Sequence, residues 1–173
     1  MTEVITSGRA AGSKVVVTFL ALLAAVLDTF LRRSAPYPLI TTFDGTSRET
    51  CALRRIRTNT PLQALTLLND AAFFEAAQAL GRRMIQEAGP GPGARAAYGF
   101  RLVTARRPST EDLNDALSLY EKGKAWFKSH GDASKVVEGI DDVPASVADH
   151  ADWAAWIMVA NAFLNLDETQ TKE

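Results

Sequence analysis

The sequence predicts an all-α fold: an irregular bundle of about five helices, joined by an N-terminal apolar helix and an extended segment rich in proline and arginine. Three observations lead there. Helix-start signals recur along the chain, each followed by apolar residues three and four positions apart. The period-two alternation of a half-buried strand does not occur. And 173 residues with 47% hydrophobic and 23% charged content have the composition of an ordinary globular chain, not of a disordered or multi-span one.

The first element is the run VVVTFLALLAAVL, which opens at Val15 and closes at Leu27. As a helix it would span about 20 Å, short of a hydrocarbon core of roughly 30 Å. Arg9 and Lys14 precede it as the basic start of a signal peptide does, whereas Glu3 breaks that pattern and no small-x-small cleavage site follows before Asp28. A signal, a weak membrane anchor and a helix packed on protein are all open readings of this stretch. Next, Ser34-Ala35-Pro36-Tyr37-Pro38 is extended, since each proline biases its predecessor away from the helical region.

Thr60-Pro61-Leu62-Gln63 then starts a helix: Thr60 as N-cap, Pro61 in the first position, Gln63 reaching back to complete a capping box. The LQALTLL that follows is apolar on most sides, which predicts burial for this short helix, ending about Leu68. Asp70 is a plausible N-cap for a helix over 71–88, where Phe73, Ala77, Leu80 and Met84 form the apolar stripe. Gly89-Pro90-Gly91-Pro92-Gly93 ends it. A helix over 94–105 carries Ala97, Phe100 and Val103 on one side. Ser109 with Asp112 makes another box-like start, leading through Leu113, Leu117, Tyr120 and Phe127 to a stop near Gly131. Residues 132–145 lack a period and read as loop. A last helix, from Ser146 or Asp149 to Leu164, presents Trp153, Trp156, Ile157, Val159, Ala160 and Phe163, a surface too apolar for water and so expected to close the core.

Charge is unevenly spread. The net charge of −1 conceals +2 over residues 1–36, +5 over 37–107 and −8 over 108–173. Every basic residue of the middle segment is arginine, and every one after Arg107 is lysine. The plainest account is internal, an arginine-rich half pairing with an acidic half; an anionic partner is the other.

Sequence chemistry is sparse. The single cysteine, Cys51, excludes an internal disulfide, a zinc site built on two or more cysteines and C-x-x-C-H haem attachment. His130 and His150 have no HExxH spacing and no carboxylate trio, so neither zinc nor di-iron is expected. No G-x-S-x-G elbow, Walker A loop or G-x-G-x-x-G is found, and no cofactor is expected. The arginines lack the interleaved aromatics that stack single strands, so nucleic acid is not an expected partner.

One constellation stands out. Arg48, Arg54, Arg55 and Arg57 place four guanidiniums within ten residues, beside Thr58 and Asn59 and just before a helix N-terminus with partial positive charge and free N–H groups. An anion could dock there. The same field would raise the thiolate fraction of Cys51, although no histidine lies near in sequence to act as base, and a lone cysteine is commonly a small buried apolar group. The competing account makes the stretch a polar knot, with Asp44, Glu49 and Asp70 neutralising the arginines and seating the helix.

FDGTSRETCALRRIRTNTPLQALTLLND, residues 43–70, resembles the signature of planctomycete-specific domain one. TFLRRSAPYP (29–38), FFEAAQALGRRM (73–84), YGFRLVTARRPSTEDL (98–113) and WAAWIMVANAFLNLDET (153–169) are similar to the same domain in the same order. Leu31 stands where the family carries an aromatic. The resemblance implies a C-terminal domain of unknown function in large multidomain proteins that often also carry a cytochrome c-like domain. It also implies an apolar segment 1–28 outside the domain, with 29–173 as its C-terminal part. From it we expect a non-catalytic structural or interaction module, C-terminal in a longer cell-envelope protein, with the remaining domains of that protein or another envelope protein as partner. Haem chemistry is not implied, because the haem-attaching cysteines belong to a separate domain. The alternative expectation is binding of an anion or acidic polysaccharide through Arg48, Cys51, Arg54, Arg55, Arg57, Thr58 and Asn59. Covalent catalysis at Cys51 would need an exposed sulfur and a base within hydrogen-bond reach.

Overall fold

The computed structural model describes residues 41–45, 58, 60–141, 143 and 147–170. Among them are seven α-helices and no strand: α1 (Pro61–Asn69), α2 (Ala71–Gln86), α3 (Pro92–Thr104), α4 (Thr110–His130), α5 (Ala133–Val136), α6 (Val147–Leu164) and α7 (Asp167–Gln170). The all-helical expectation holds. The expected N-terminal apolar helix, the Pro-rich extended segment and residues 46–57 lie outside the described residues. The chain divides into two compact units, Met1–Asn69 and Asp70–Glu173.

In the first unit, α1 starts where the sequence places it. Thr60 N–H donates to Gln63 Oε1 at 2.9 Å, and Gln63 N–H donates to Thr60 Oγ1 at 3.3 Å, the reciprocal capping box. The expected burial of this helix is corrected in part. Gln63 and Leu67 are buried, but Leu62 and Leu65 are each 58% exposed and Leu68 42%. A nine-residue helix that is apolar around its whole circumference can turn only one arc inward, and here Leu62, Leu65 and Leu68 fall on the other.

The second unit is built on α6, which packs against α2, α3, α4 and α5. Ala151, Trp153, Ala154, Ala155, Trp156, Ile157, Val159, Ala160 and Phe163 of α6 are all buried, so the helix is apolar around nearly its full girth and closes the core as expected. Leu80 and Met84 of α2, Phe100 of α3 and Tyr120 of α4 meet Trp156, Val159 and Phe163 in one cluster. Ala77 and Phe127 join Trp153 and Ile157 in a second. Phe100 and Phe163 pack edge to face with ring centroids 5.6 Å apart.

The helix boundaries follow local chemistry. Asp70 caps α2 by accepting from Ala72 N–H at 2.9 Å. Pro92 takes an early position in α3, so that helix begins inside the Gly-Pro stretch rather than after it. Ser109 and Asp112 form a full capping box for α4, which ends on Gly131 with φ 70°, the left-handed conformation that favours glycine. Two short helices depart from the sequence expectation. α5 lies in the stretch read as loop, and Gln78 of α2 anchors it by donating from Nε2 to the Val136 carbonyl at 2.7 Å. α7 follows α6, with Thr169 Oγ1 donating to the Phe163 carbonyl at 2.9 Å.

Candidate functional site

Of the seven residues singled out as a candidate anion site, only Thr58 is described; Arg48, Cys51, Arg54, Arg55, Arg57 and Asn59 lie outside the described residues. Thr58 serves the corner that leads into α1. Its N–H donates to Asp44 Oδ2 at 2.6 Å, and its hydroxyl lies 2.8 Å from the same oxygen and 2.9 Å from Oδ1. Asp44 sits at a positive φ of 55°, tolerable for an aspartate in a turn. The bonds from Thr58, followed by one from Gln63, hold the Asp44 carboxyl below the usual carboxylate range.

Gln63 is the hub of this corner. Its amide nitrogen donates to the Thr42 carbonyl at 2.8 Å and also approaches Thr58 Oγ1 at 3.2 Å and Asp44 Oδ2 at 3.4 Å. Its side-chain oxygen is held by the Thr60 N–H. One buried amide thus ties residues 42, 44, 58 and 60 to the first turn of α1, and a buried polar group satisfied on both ends fixes geometry. The sequence reading placed Asp44 opposite arginines; among the described residues its partners are Thr58 and Gln63. Asp70 caps α2, as the sequence places it. On the outward side of α1, Leu62, Leu65 and Leu68 recur every third residue, and the helix carries no charged residue.

The second unit holds a polar cluster that the sequence reading missed. Asp152 on α6 receives Lys124 Nζ on Oδ1 at 2.7 Å and Arg95 Nη1 on Oδ2 at 3.3 Å, and the Tyr120 hydroxyl donates to Oδ1 as well. Lys124 Nζ also donates to the Tyr120 hydroxyl at 2.8 Å. Trp156, one turn along α6, stacks on the Tyr120 ring at 4.4 Å, and the Arg95 guanidinium carbon lies 5.9 Å from the indole centroid. Burial pushes the Asp152 carboxyl up, but the bonds from Lys124 and Tyr120 and the charges of Lys124 and Arg95 outweigh it, leaving the group below its ordinary value. The same carboxylate raises Lys124, and burial with the bond to Asp152 raises Tyr120. A phenol held neutral in this way is a structural donor, not a base poised near neutrality.

The internal pairing of an arginine-rich with an acidic half is visible here. Arg95 meets Asp152, and Arg106 binds Asp112 at 2.9 Å and Glu168 at 2.7 Å while lying 4.6 Å over the Phe100 ring. Arg83 pairs with Glu87 at 3.0 Å within α2 and its C-cap, and the Tyr98 hydroxyl donates to the same carboxylate. His130 ends α4 stacked on Trp126, centroids 4.4 Å apart, with its Nδ1 2.9 Å from the Trp126 carbonyl. Among the described residues no three His, Cys, Asp or Glu side chains gather as metal ligands, and no helix is long and apolar enough to cross a membrane.

A family model described as PSD1, protein of unknown function (DUF1553), matches residues 23–120. The matched span holds the Gln63 corner, α1, α2, α3 and the first half of α4. No curated protein and no solved structure matches the chain.

Proposed function

The chain belongs to the PSD1 family (DUF1553), whose function is unknown, and on that premise we propose that it is a non-catalytic interaction module in which α1 docks on a partner. The observation that carries this reading is the arc formed by Leu62, Leu65 and Leu68, exposed by 58%, 58% and 42% on a helix without a charge. Three leucines at one helical face are the anchors of helix-in-groove recognition. The leucine face is not free to turn inward, because Gln63 on the opposite, buried face is tied to four hydrogen-bonding neighbours that fix the rotation of the helix. The partner is an apolar groove on the remaining domains of a longer parent protein or on another cell-envelope protein.

The polar clusters support a role without turnover. Their acids and bases are committed to one another: the Asp44 carboxylate to Thr58, Asp152 to Lys124, Tyr120 and Arg95, Asp112 and Glu168 to Arg106. General acid–base chemistry needs a group poised near neutral pH and reachable by substrate.

A photo-crosslinking side chain placed at position 65 tests the reading, with one at exposed position 111 as control. In cells that make the chain, position 65 is expected to give a discrete adduct that position 111 does not. No adduct at 65, or the same adducts at both positions, contradicts the reading.

A further inference from the structure

We propose that the Arg95–Lys124–Asp152 cluster of the second unit is a binding site for one small monoanion, a carboxylate or a halide, taken up between the Arg95 guanidinium and the Trp156 indole N–H.

Two shortfalls in the cluster point the same way. The first is charge: two cations, Arg95 and Lys124, share the single carboxylate of Asp152. Tyr120 cannot make up the difference, since its hydroxyl donates to Asp152 and accepts from Lys124 as a neutral phenol. The second is hydrogen bonding. Arg95 Nε and Trp156 Nε1 are both sealed from solvent, and neither has an acceptor. Trp156 is wholly buried, with the Tyr120 ring stacked on it and the Arg95 guanidinium over its ring. Buried donors in native proteins are nearly always paired, and an indole N–H can only donate. A water would answer the second shortfall alone; a monoanion answers both.

Both unpaired donors are buried, so a ligand that reaches them must be small. Arg95 and Lys124 have side chains 24% and 29% exposed, and these long, partly solvated stems are the parts able to swing aside for entry. The unmatched charge is one, which a monoanion balances and a phosphate or sulfate dianion exceeds. The proposal concerns the second unit and is independent of the docking face on α1.

The test is a two-dimensional 1H–15N spectrum of the full chain, titrated separately with acetate, formate and chloride at an ionic strength held by sodium sulfate. The Trp156 indole resonance is expected to move saturably with at least one of these anions while those of Trp126 and Trp153 stay in place. Whether acetate and formate or chloride gives the tighter saturation tells a carboxylate site from a halide site. R95Q is expected to weaken half-saturation at least tenfold, and K124M to weaken it less. Should R95Q not fold, R95K, which keeps the charge but loses the Nε donor, is expected to weaken it in the same direction. A Trp156 resonance that ignores all three anions, drifts without saturating, or responds equally in wild type and the Arg95 variants overturns the proposal.

Discussion

Gly81 on α2 meets Ile157 on α6 so closely that a Cβ on the glycine would stand 3.0 Å from Ile157 Cγ1 and 3.1 Å from its Cα. The two helix backbones come close at this point, with the Ile157 side chain also against the glycine. Because backbone cannot yield as a side-chain tip can, Gly81→Ala is expected to destabilise the second unit by about 1–3 kcal/mol through overpacking. Gly99 offers a contrast: a Cβ there would meet the Met84 thioether at 2.5 Å, a flexible group that can move. Urea unfolding of the two alanine variants should therefore show the larger loss for Gly81→Ala.

Asp152 makes the second unit acid-sensitive. Its folded carboxyl lies below the ordinary value of 3.8, so the folded form binds its proton later than the unfolded form does as pH falls. The resulting stabilisation is complete above the unfolded value and is lost as pH drops through the folded one. Asp152→Asn leaves Arg95 and Lys124 without their carboxylate and is expected to cost about 1–3 kcal/mol at neutral pH, discounted for partial exposure. Thermal unfolding from pH 6 downward checks the sign: the gap between wild type and variant should narrow only in the acid range. Lys124, shifted upward by Asp152, contributes with the opposite sense, its share being lost only as strongly alkaline pH rises through its folded value.

Gln63 holds the corner of the first unit together, and its loss is not the loss of one contact. Gln63→Ala strands the Thr60 N–H and removes the amide from the Thr42 carbonyl. A cost of about 1–3 kcal/mol is expected. Gln63→Glu keeps the capping acceptor for Thr60 but sets a second carboxylate near Asp44, replacing the amide now 3.4 Å from it. That variant should approach wild-type stability only as pH falls toward carboxylate protonation, a trend readable from denaturant midpoints between pH 4 and pH 7 (about the range where a glutamate titrates).

How much of this was legible in the sequence depends on the distance over which each feature is determined. Both capping boxes were, since Thr60 with Gln63 and Ser109 with Asp112 act within one turn. So were the glycine stop at Gly131 and the closing role of α6, whose residues are apolar around nearly the whole helix. The bond from Thr58 to Asp44 joins residues fourteen apart, and the Lys124 bond to Asp152 spans twenty-eight; such pairs exist only once distant stretches of chain come together, and no local pattern encodes them. α5 was hidden because four residues are too few to show a period; it is held by Gln78, not by its own propensity. The outward leucines of α1 escaped for a different reason. A helix apolar on every side does not say which side it buries, and the choice was made by Gln63.

The proposed docking role of Leu62, Leu65 and Leu68 requires that these exposed side chains add little to the stability of their own chain. Equilibrium unfolding of the triple variant L62K/L65K/L68K, beside Leu67→Ala on the buried side of the same helix, measures this most directly. The account predicts that the triple variant stays within about 1.5 kcal/mol of wild type, as exposed positions do, whereas Leu67→Ala loses about 2–5 kcal/mol. A triple variant that unfolds as readily as Leu67→Ala would show those leucines to be part of the core, and the docking face would not exist.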